Sequence, residues 1–338
     1  MHVTKNAGTS WDKMSWPKDV PEMTYVSDLE ASLFEKNTVF ATFDNHKRGD
    51  FKPYVYVSDN NGRSWENITG DLPEKGTVYT IIQDHVNKDL LFAGTEFGVF
   101  FTQNRGKNWT QLKSGIPTVA VRDLDIQRRE NDLAVATFGR GFYILDDYTP
   151  LRQDAEKVKK EDAYIFPVSK AQQFTFHDPM GTPGRASQGA SLFMAENPEF
   201  GARFSYYVGE EFKSLKAKRQ AKENDLNKDN KDVMYPSWAE LKEEDFEQDS
   251  NLFLTVSDQQ GNIVRRLKQS ASKGLHHVYW DLRYPGFGNI STSGDNDGGP
   301  FVVPGKYQVT LSKLVNGVET QYGATQSFDV EALNNGTF

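Results

Sequence analysis

The stretch Val55-Tyr-Val-Ser-Asp-Asn-Asn-Gly-Arg-Ser-Trp-Glu-Asn-Ile68 returns, with the same frame, as Val99-Phe-Phe-Thr-Gln-Asn-Arg-Gly-Lys-Asn-Trp-Thr-Gln-Leu112. Each copy alternates apolar and polar residues into a polar turn, then sets Gly four positions after a hydroxyl residue and Trp three after the Gly. Alternation entering a Gly-bearing turn is the pattern of a β-hairpin. Ser58 and Asp59 are expected to hydrogen-bond the amides of the turn, and Gly62 to take a positive φ that a Cβ would oppose. Trp65 and Trp109 are expected to lie over their hairpins and bury between neighbours. A third copy, Thr4-Lys-Asn-Ala-Gly8-Thr-Ser-Trp11, opens the chain. On this reading the acidic position is kept only at Asp59, with Gln103 and Lys5 in its place elsewhere.

Around the hairpins a longer repeat appears. Segments 38–43, 90–95 and 133–138 are one apolar strand three times, each preceded by a charged turn. Another strand precedes it at 79–83 and 121–126, and the hairpin strand follows at 98–101 and 141–145. Trp65 and Trp109 are 44 residues apart, and an insertion at 44–53 lengthens the first interval. Four strands in some forty to fifty residues is the period of propeller blades. About three blades leave open sheet edges, which invite further blades or a partner.

The pattern Ser/Thr-x-Asp-x-Gly-x-x-Trp resembles the Asp-box, or BNR repeat, of sialidases, sortilin-type receptors and some secreted glycoside hydrolases. Ser58, Asp59, Gly62 and Trp65 carry it in one copy, and Thr102, Gly106 and Trp109 in the next. Gly94-Thr-Glu-Phe-Gly-Val-Phe and Ala136-Thr-Phe-Gly-Arg-Gly-Phe-Tyr-Ile-Leu-Asp-Asp-Tyr-Thr-Pro150 are similar to the closing blades of large bacterial sortilin-like BNR-repeat proteins, often labelled glycosyl hydrolase. The resemblance implies structural hairpins, an exported protein (secreted, periplasmic or on the cell surface), and missing N-terminal blades that would also carry any signal peptide.

From 151 to 162 a charged run without an apolar face reads as a linker. A second all-β unit follows over 163–331, with alternating strands and a Lys/Glu-rich helical insertion at 211–249, where Ser237 is a candidate helix cap. Its strand succession resembles the Ig-like domain of the flagellar hook-capping protein. Trp280 is expected at the centre of that core, with Tyr307, Val309 and Leu311 facing it. The fold class expected is therefore all-β: a partial β-propeller of about three four-stranded blades, residues 1–150, followed by an Ig-like β-sandwich with a short helical insertion.

A net charge of −8 and a pI near 5.4, without a basic stripe, exclude a general nucleic-acid surface. The absence of cysteine excludes disulfides, thiolate catalysis and Cys-based zinc sites. No apolar run is long enough to span a membrane. The six histidines make no metal-ligand spacing, so no metal is expected. Asp295 and Asp297 sit in an oxygen-rich turn that could attract calcium, yet the closing Glu of an EF-hand loop is missing, and no cofactor is expected.

Propellers bind on loops around their axis, so Glu96, Arg122, Asp123, Arg140, Asp146 and Asp147 are the candidates by position. Glu96, Asp123, Arg122 and Arg140 are the catalytic candidates; Arg140, Asp146 and Asp147 are the binding ones. Arg140 has a structural alternative, pairing with Asp146. Two functions remain open: a glycan- or peptide-binding module, or a sialidase- or endoglucanase-like glycoside hydrolase with its cleft only partly in this chain. A hydrolase needs two convergent carboxyls, and a sialidase of this fold a Tyr–Glu pair and three arginines. Trp16 and Trp238 are the tryptophans left free for sugar stacking, and the balance favours binding.

Overall fold

The computed structural model describes residues 1–175, 195, 198–248, 250–287 and 298–333. It divides into two units, Met1–Asp154 and Ala155–Phe338.

In the first unit a short hairpin, β1 (His2–Val3) with β2 (Asp12–Lys13), precedes three antiparallel sheets. The first blade runs β3 (Tyr25–Ala31), β4 (Val39–Asp44), β5 (Val55–Ser58), β6 (Glu66–Asn67), each strand paired with the next. The second repeats it as β7 (Val78–Gln83), β8 (Leu91–Thr95), β9 (Gly98–Thr102), β10 (Thr110–Leu112). The third is β11 (Val121–Gln127), β12 (Asp132–Thr137), β13 (Phe142–Leu145). Up-and-down order, with each sheet packed face to face on the next, makes these the vanes of a partial β-propeller.

Two apolar layers hold the vanes together. Phe40, Val55 and Val57 of the first blade meet Ile81, Leu91 and Phe100 of the second. Phe92 and Val99 of the second then meet Leu124, Leu133 and Val135 of the third. Both faces of a middle blade are thus apolar, which is why its strands read as nearly continuous hydrophobic runs. Gly94 marks the closest approach: a Cβ there would stand 2.6 Å from the Thr80 methyl and 2.8 Å from Val121.

The third sheet departs from expectation in having three strands rather than four. After β13 the chain turns at Asp147, whose φ is +43°, and enters a 3-10 turn over Thr149–Arg152. Pro150 has no N–H to give a ladder. In place of an outer strand, Arg152 reaches back to the second blade. Its guanidinium donates to both oxygens of the fully buried Asp84 at 2.8 and 2.9 Å, and to Asn131 at 2.7 Å. The Tyr148 hydroxyl donates to the same carboxylate at 2.6 Å, and the amides of Val86 and Asn87 complete its shell.

The second unit begins with one helical turn, α1 (Ala155–Val158), inside the charged run read as a linker. One sheet is β14 (Ala163–Ile165), β16 (Ala202–Val208), β19 (Gly274–Trp280), in that order. The other is β15 (Ala171–Gln173), β22 (Gln326–Ala332), β20 (Gly305–Val315), β17 (Asn251–Asp258), β18 (Ile263–Gln269), with β21 (Val318–Gln321) paired to β20. Their inner faces share one core around Trp280, Phe204 and Phe328, and Tyr307, Val309 and Leu311 are buried in it. The unit is a two-sheet β-sandwich.

The insertion forms α2 (Leu215–Lys228) and α3 (Trp238–Phe246), neither with a buried residue. Arg219 joins them with bonds of 2.6 and 2.9 Å to Glu244. Ser237 caps α3 in a full capping box with Glu240. The sequence reads as a Gly-rich segment over 180–189 and a strand over 191–194; both, and the calcium candidates Asp295 and Asp297, lie outside the described residues.

Candidate functional site

The three hairpin turns are built alike, but not on the residue expected. Ser58 Oγ accepts from the Gly62 amide at 2.7 Å, Thr102 Oγ1 from Gly106 at 2.9 Å, and Thr4 Oγ1 from Gly8 at 2.8 Å. The second acceptor is an asparagine two positions on. Asn60, Asn104 and Asn6 each take the amide of Ser64, Asn108 and Ser10 at 2.9 Å. Asp59 does not close its turn: it accepts from Thr38 Oγ1 at 2.8 Å and pairs with Arg105 of the next hairpin. Asparagine therefore does in all three copies what was assigned to Asp59 in one, and Gln103 and Lys5 replace nothing.

Trp65 and Trp109 each belong to two hairpins. Trp109 is buried and its indole N–H donates to the Ile68 carbonyl at 3.1 Å; half-buried Trp65 donates to the Ser15 carbonyl at 3.1 Å. Gly106 lies against Ile68 and Gly62 against Met14, so both turns seat on the chain just beyond the preceding turn. These groups stack the vanes. Trp16, expected to be free, is also committed: it donates to the Val20 carbonyl at 2.9 Å and packs edge-on against Phe43. Trp238 is exposed, as is Trp11.

A second repeated device lies at the other end of the blades. Every innermost strand carries one bulge near its start, between Val26 and Asp28, Val78 and Thr80, and Val121 and Asp123. A bulge frees one residue from the ladder and re-aims its side chain. The residues so freed are Ser27, Tyr79 and Arg122, at equivalent positions in three successive blades. Beside them lie the turns after the second strands, at Asp44, at Glu96-Phe97, and at Phe138 to Gly141.

These groups form one rim. The Arg122 guanidinium lies 3.7 Å from the centre of the Tyr79 ring and 5.3 Å from that of Phe138. The Tyr79 hydroxyl donates to Glu96. Burial first, then the hydrogen bond to Glu96, holds the Tyr79 phenol well above its ordinary pKa, while Arg122 opposes them. The phenol is therefore neutral and a donor at physiological pH. His46 Nδ1 lies 2.6 Å from Asp44 on the adjoining turn. Phe97, Arg122, Phe138 and Arg140 are exposed, and Arg140 stands between Gly139 and Gly141, both left-handed at φ +77° and +71°. Exposed rings beside a guanidinium can stack on a sugar or a peptide side chain while the cation meets an acidic group.

The structure divides the sequence candidates. Glu96, Arg122, Asp123 and Arg140 sit at this rim. Asp146 and Asp147 follow β13 and so lie at the opposite end of the third blade. There Asp147 accepts from the Thr149 hydroxyl at 2.6 Å and shapes the turn. Tyr79 was missed because a tyrosine in an alternating strand looks like core; the recurring bulge is invisible without pairing register. One further carboxyl stands out: the pKa of Glu30, on β3, is pushed up by burial and then by Asp28, with Asp125 adding to it. Asp28 itself is engaged by the Thr80 hydroxyl at 2.8 Å and the Ile81 amide at 2.9 Å. Among the described residues no cluster of His, Asp and Glu could hold a metal ion, and no helix is long and apolar enough to cross a membrane.

No protein-family model matches the chain, and no curated protein does. Among solved structures it is similar to YCF48 bound to D1 peptide, at 17% identity and TM-score 0.33 over 44% of this chain and 43% of that one. The GH74 xyloglucanase of Xanthomonas campestris is matched at 10% identity and TM-score 0.30, over 88% and 38% of the two chains. The extracellular domain of the one-component system BT4673 of B. thetaiotaomicron is matched at 10% and TM-score 0.24, over 87% and 30%. The chain spans less than half the length of each. The assignment to the propeller class rests on the strand order and register above.

Proposed function

We propose that this chain is part of an exported BNR-type β-propeller protein and that its rim binds a glycan or peptide, with further blades completing the ring and the second unit an Ig-like module. The observation that carries this reading is the bulged Arg122, stacked on the bulged Tyr79 with the exposed Phe138 ring beside it. A guanidinium held flat on a ring keeps its edge donors for a ligand's oxygens. The neutral Tyr79 hydroxyl, bound to Glu96, fixes the ring that carries it.

The rival is a glycoside hydrolase, and two observations favour it. Tyr79 with Glu96 supplies the tyrosine–carboxylate pair that a sialidase-like mechanism requires. Glu30, whose pKa is raised by burial and then by Asp28, is a carboxyl held toward its protonated form. Fold alone does not choose between them. A glycan and peptide array probed with the intact chain, followed by incubation of every hit with the protein, separates the two. Binding that leaves the hit intact and disappears in Arg122→Ala supports the module. Hydrolysis abolished by Tyr79→Phe or Glu30→Gln replaces it with the enzyme.

A further inference from the structure

We propose that the two open end faces of the blade unit are docking surfaces for another sheet of the same repeat, and that in a solution of this chain a second copy supplies it, head to tail. Register makes the blades comparable residue by residue. Val55, Val99 and Phe142 hold the same position, opposite Thr42, Gly94 and Ala136. Val55 and Val99, each covered by the next blade, are 0% and 1% exposed; Phe142 is 79% exposed. Two residues on, Val57 is buried at 2% while Ile144 is 56% exposed. The outer face of the third sheet is thus the face by which the first and second blades hold their successors, left without one.

The other end mirrors it. Leu29, Ile81 and Leu124 are equivalent, opposite Ala41, Ala93 and Val135. Ile81 and Leu124 each pack on a preceding blade and are 2% and 6% exposed, against 53% for Leu29. Hairpin β1–β2 and the chain after it cover the outer part of this face, where Trp16 and Met1 pack on Phe43 and Tyr56. The inner part is bare. The first hairpin also offers an empty seat: Gly62 and Gly106 rest on a preceding segment, but a Cβ on Gly8 would meet only Trp11 within 4 Å, and that indole is 59% exposed.

One end presents the donor face and the other the acceptor face of a contact made twice within the chain. Two donor faces do not match, so the association is heterologous, and it closes a ring or runs into an open polymer according to the angle between copies. Apolar faces of this kind mark association sites. The proposal rests on the ring-completion part of the preceding reading, and its failure leaves ligand binding at the rim to be decided by the array.

Sedimentation velocity of the full chain over a wide concentration range tests it, with Leu29→Asp, Phe142→Asp and an equimolar mixture of the two variants. Both substitutions are at exposed positions, and unchanged thermal unfolding confirms that each variant is folded. The wild type is expected to self-associate, and each variant alone to associate about tenfold or more weakly, since a carboxylate must be desolvated in the contact. The mixture is expected to form a 1:1 complex, because Leu29→Asp keeps its third-sheet face and Phe142→Asp its first-sheet face. A wild type that stays monomeric at every concentration overturns the proposal. So does association indifferent to both substitutions, or a mixture that behaves as the sum of its parts.

Discussion

Replacing Arg152 by Met tests whether the strap after β13 holds the third blade to the second. Asp84 is fully buried, and Arg152 supplies two of its hydrogen bonds. Removing one partner of a buried pair costs about 3 to 5 kcal/mol. Asp84 keeps the Tyr148 hydroxyl and two backbone amides, which places the cost near the lower end, about 3 kcal/mol, or roughly a hundredfold in the folding equilibrium. The pH dependence gives a second handle. Burial alone would raise the Asp84 pKa, but hydrogen bonds from Arg152, Tyr148 and Asn87 outweigh it, and the folded value lies below the ordinary one. Such a carboxylate stabilises fully above its unfolded pKa of about 3.9 and loses that contribution as pH falls through the folded value. Without Arg152, burial has less to oppose it and the folded pKa rises, so protonation relieves the variant while it weakens the wild type. Urea unfolding followed by tryptophan fluorescence should therefore show a gap of about 3 kcal/mol at pH 7 that narrows through the carboxylate range. A gap under about 0.5 kcal/mol at pH 7, or one independent of pH, refutes the clamp.

Three further outcomes are expected. Gly94→Ala should destabilise the first unit by about 1 to 3 kcal/mol, because its Cβ would meet Thr80 and Val121 at the blade contact; calorimetry of the intact chain reads it. Thr102→Val keeps the shape of a buried side chain but strips the Gly106 amide of its acceptor, for a loss of about 1 to 3 kcal/mol, whereas Asp59→Asn at the neighbouring turn should cost under about 1 kcal/mol by the same measurement. Ser237→Ala should lower the helicity of α3 by removing a cap worth about 1 kcal/mol, without moving the unfolding of the sandwich, since neither α2 nor α3 has a buried residue.

The blades were legible because alternation and Gly-Trp punctuation are local signals that repeat. The core of the second unit was legible for the same reason, through Tyr307, Val309 and Leu311 on one face of a strand. The closing residue of the turns was misread because Asp59 is acidic and adjacent to Ser58. The inward acceptor is one residue later, at Asn6, Asn60 and Asn104, the same offset in all three copies. Long-range pairings left no trace: Asp84 and Arg152 are 68 residues apart and look like two unrelated surface charges. The rim was half legible. Glu96 and Arg122 were expected at the strand ends and lie there, whereas Tyr79 needed the bulge, a property of two strands rather than one.

The reading that ligands meet the bulged rim, and not the opposite end of the blades, is tested most directly by hydrogen–deuterium exchange on the intact chain with and without a ligand from the array. Protection is expected at 95–98, 121–123 and 137–141, with 84–88 and 146–152 unchanged, and Arg122→Ala should abolish it. Protection confined to 84–88 and 146–152, or protection at the rim that survives Arg122→Ala, would contradict it.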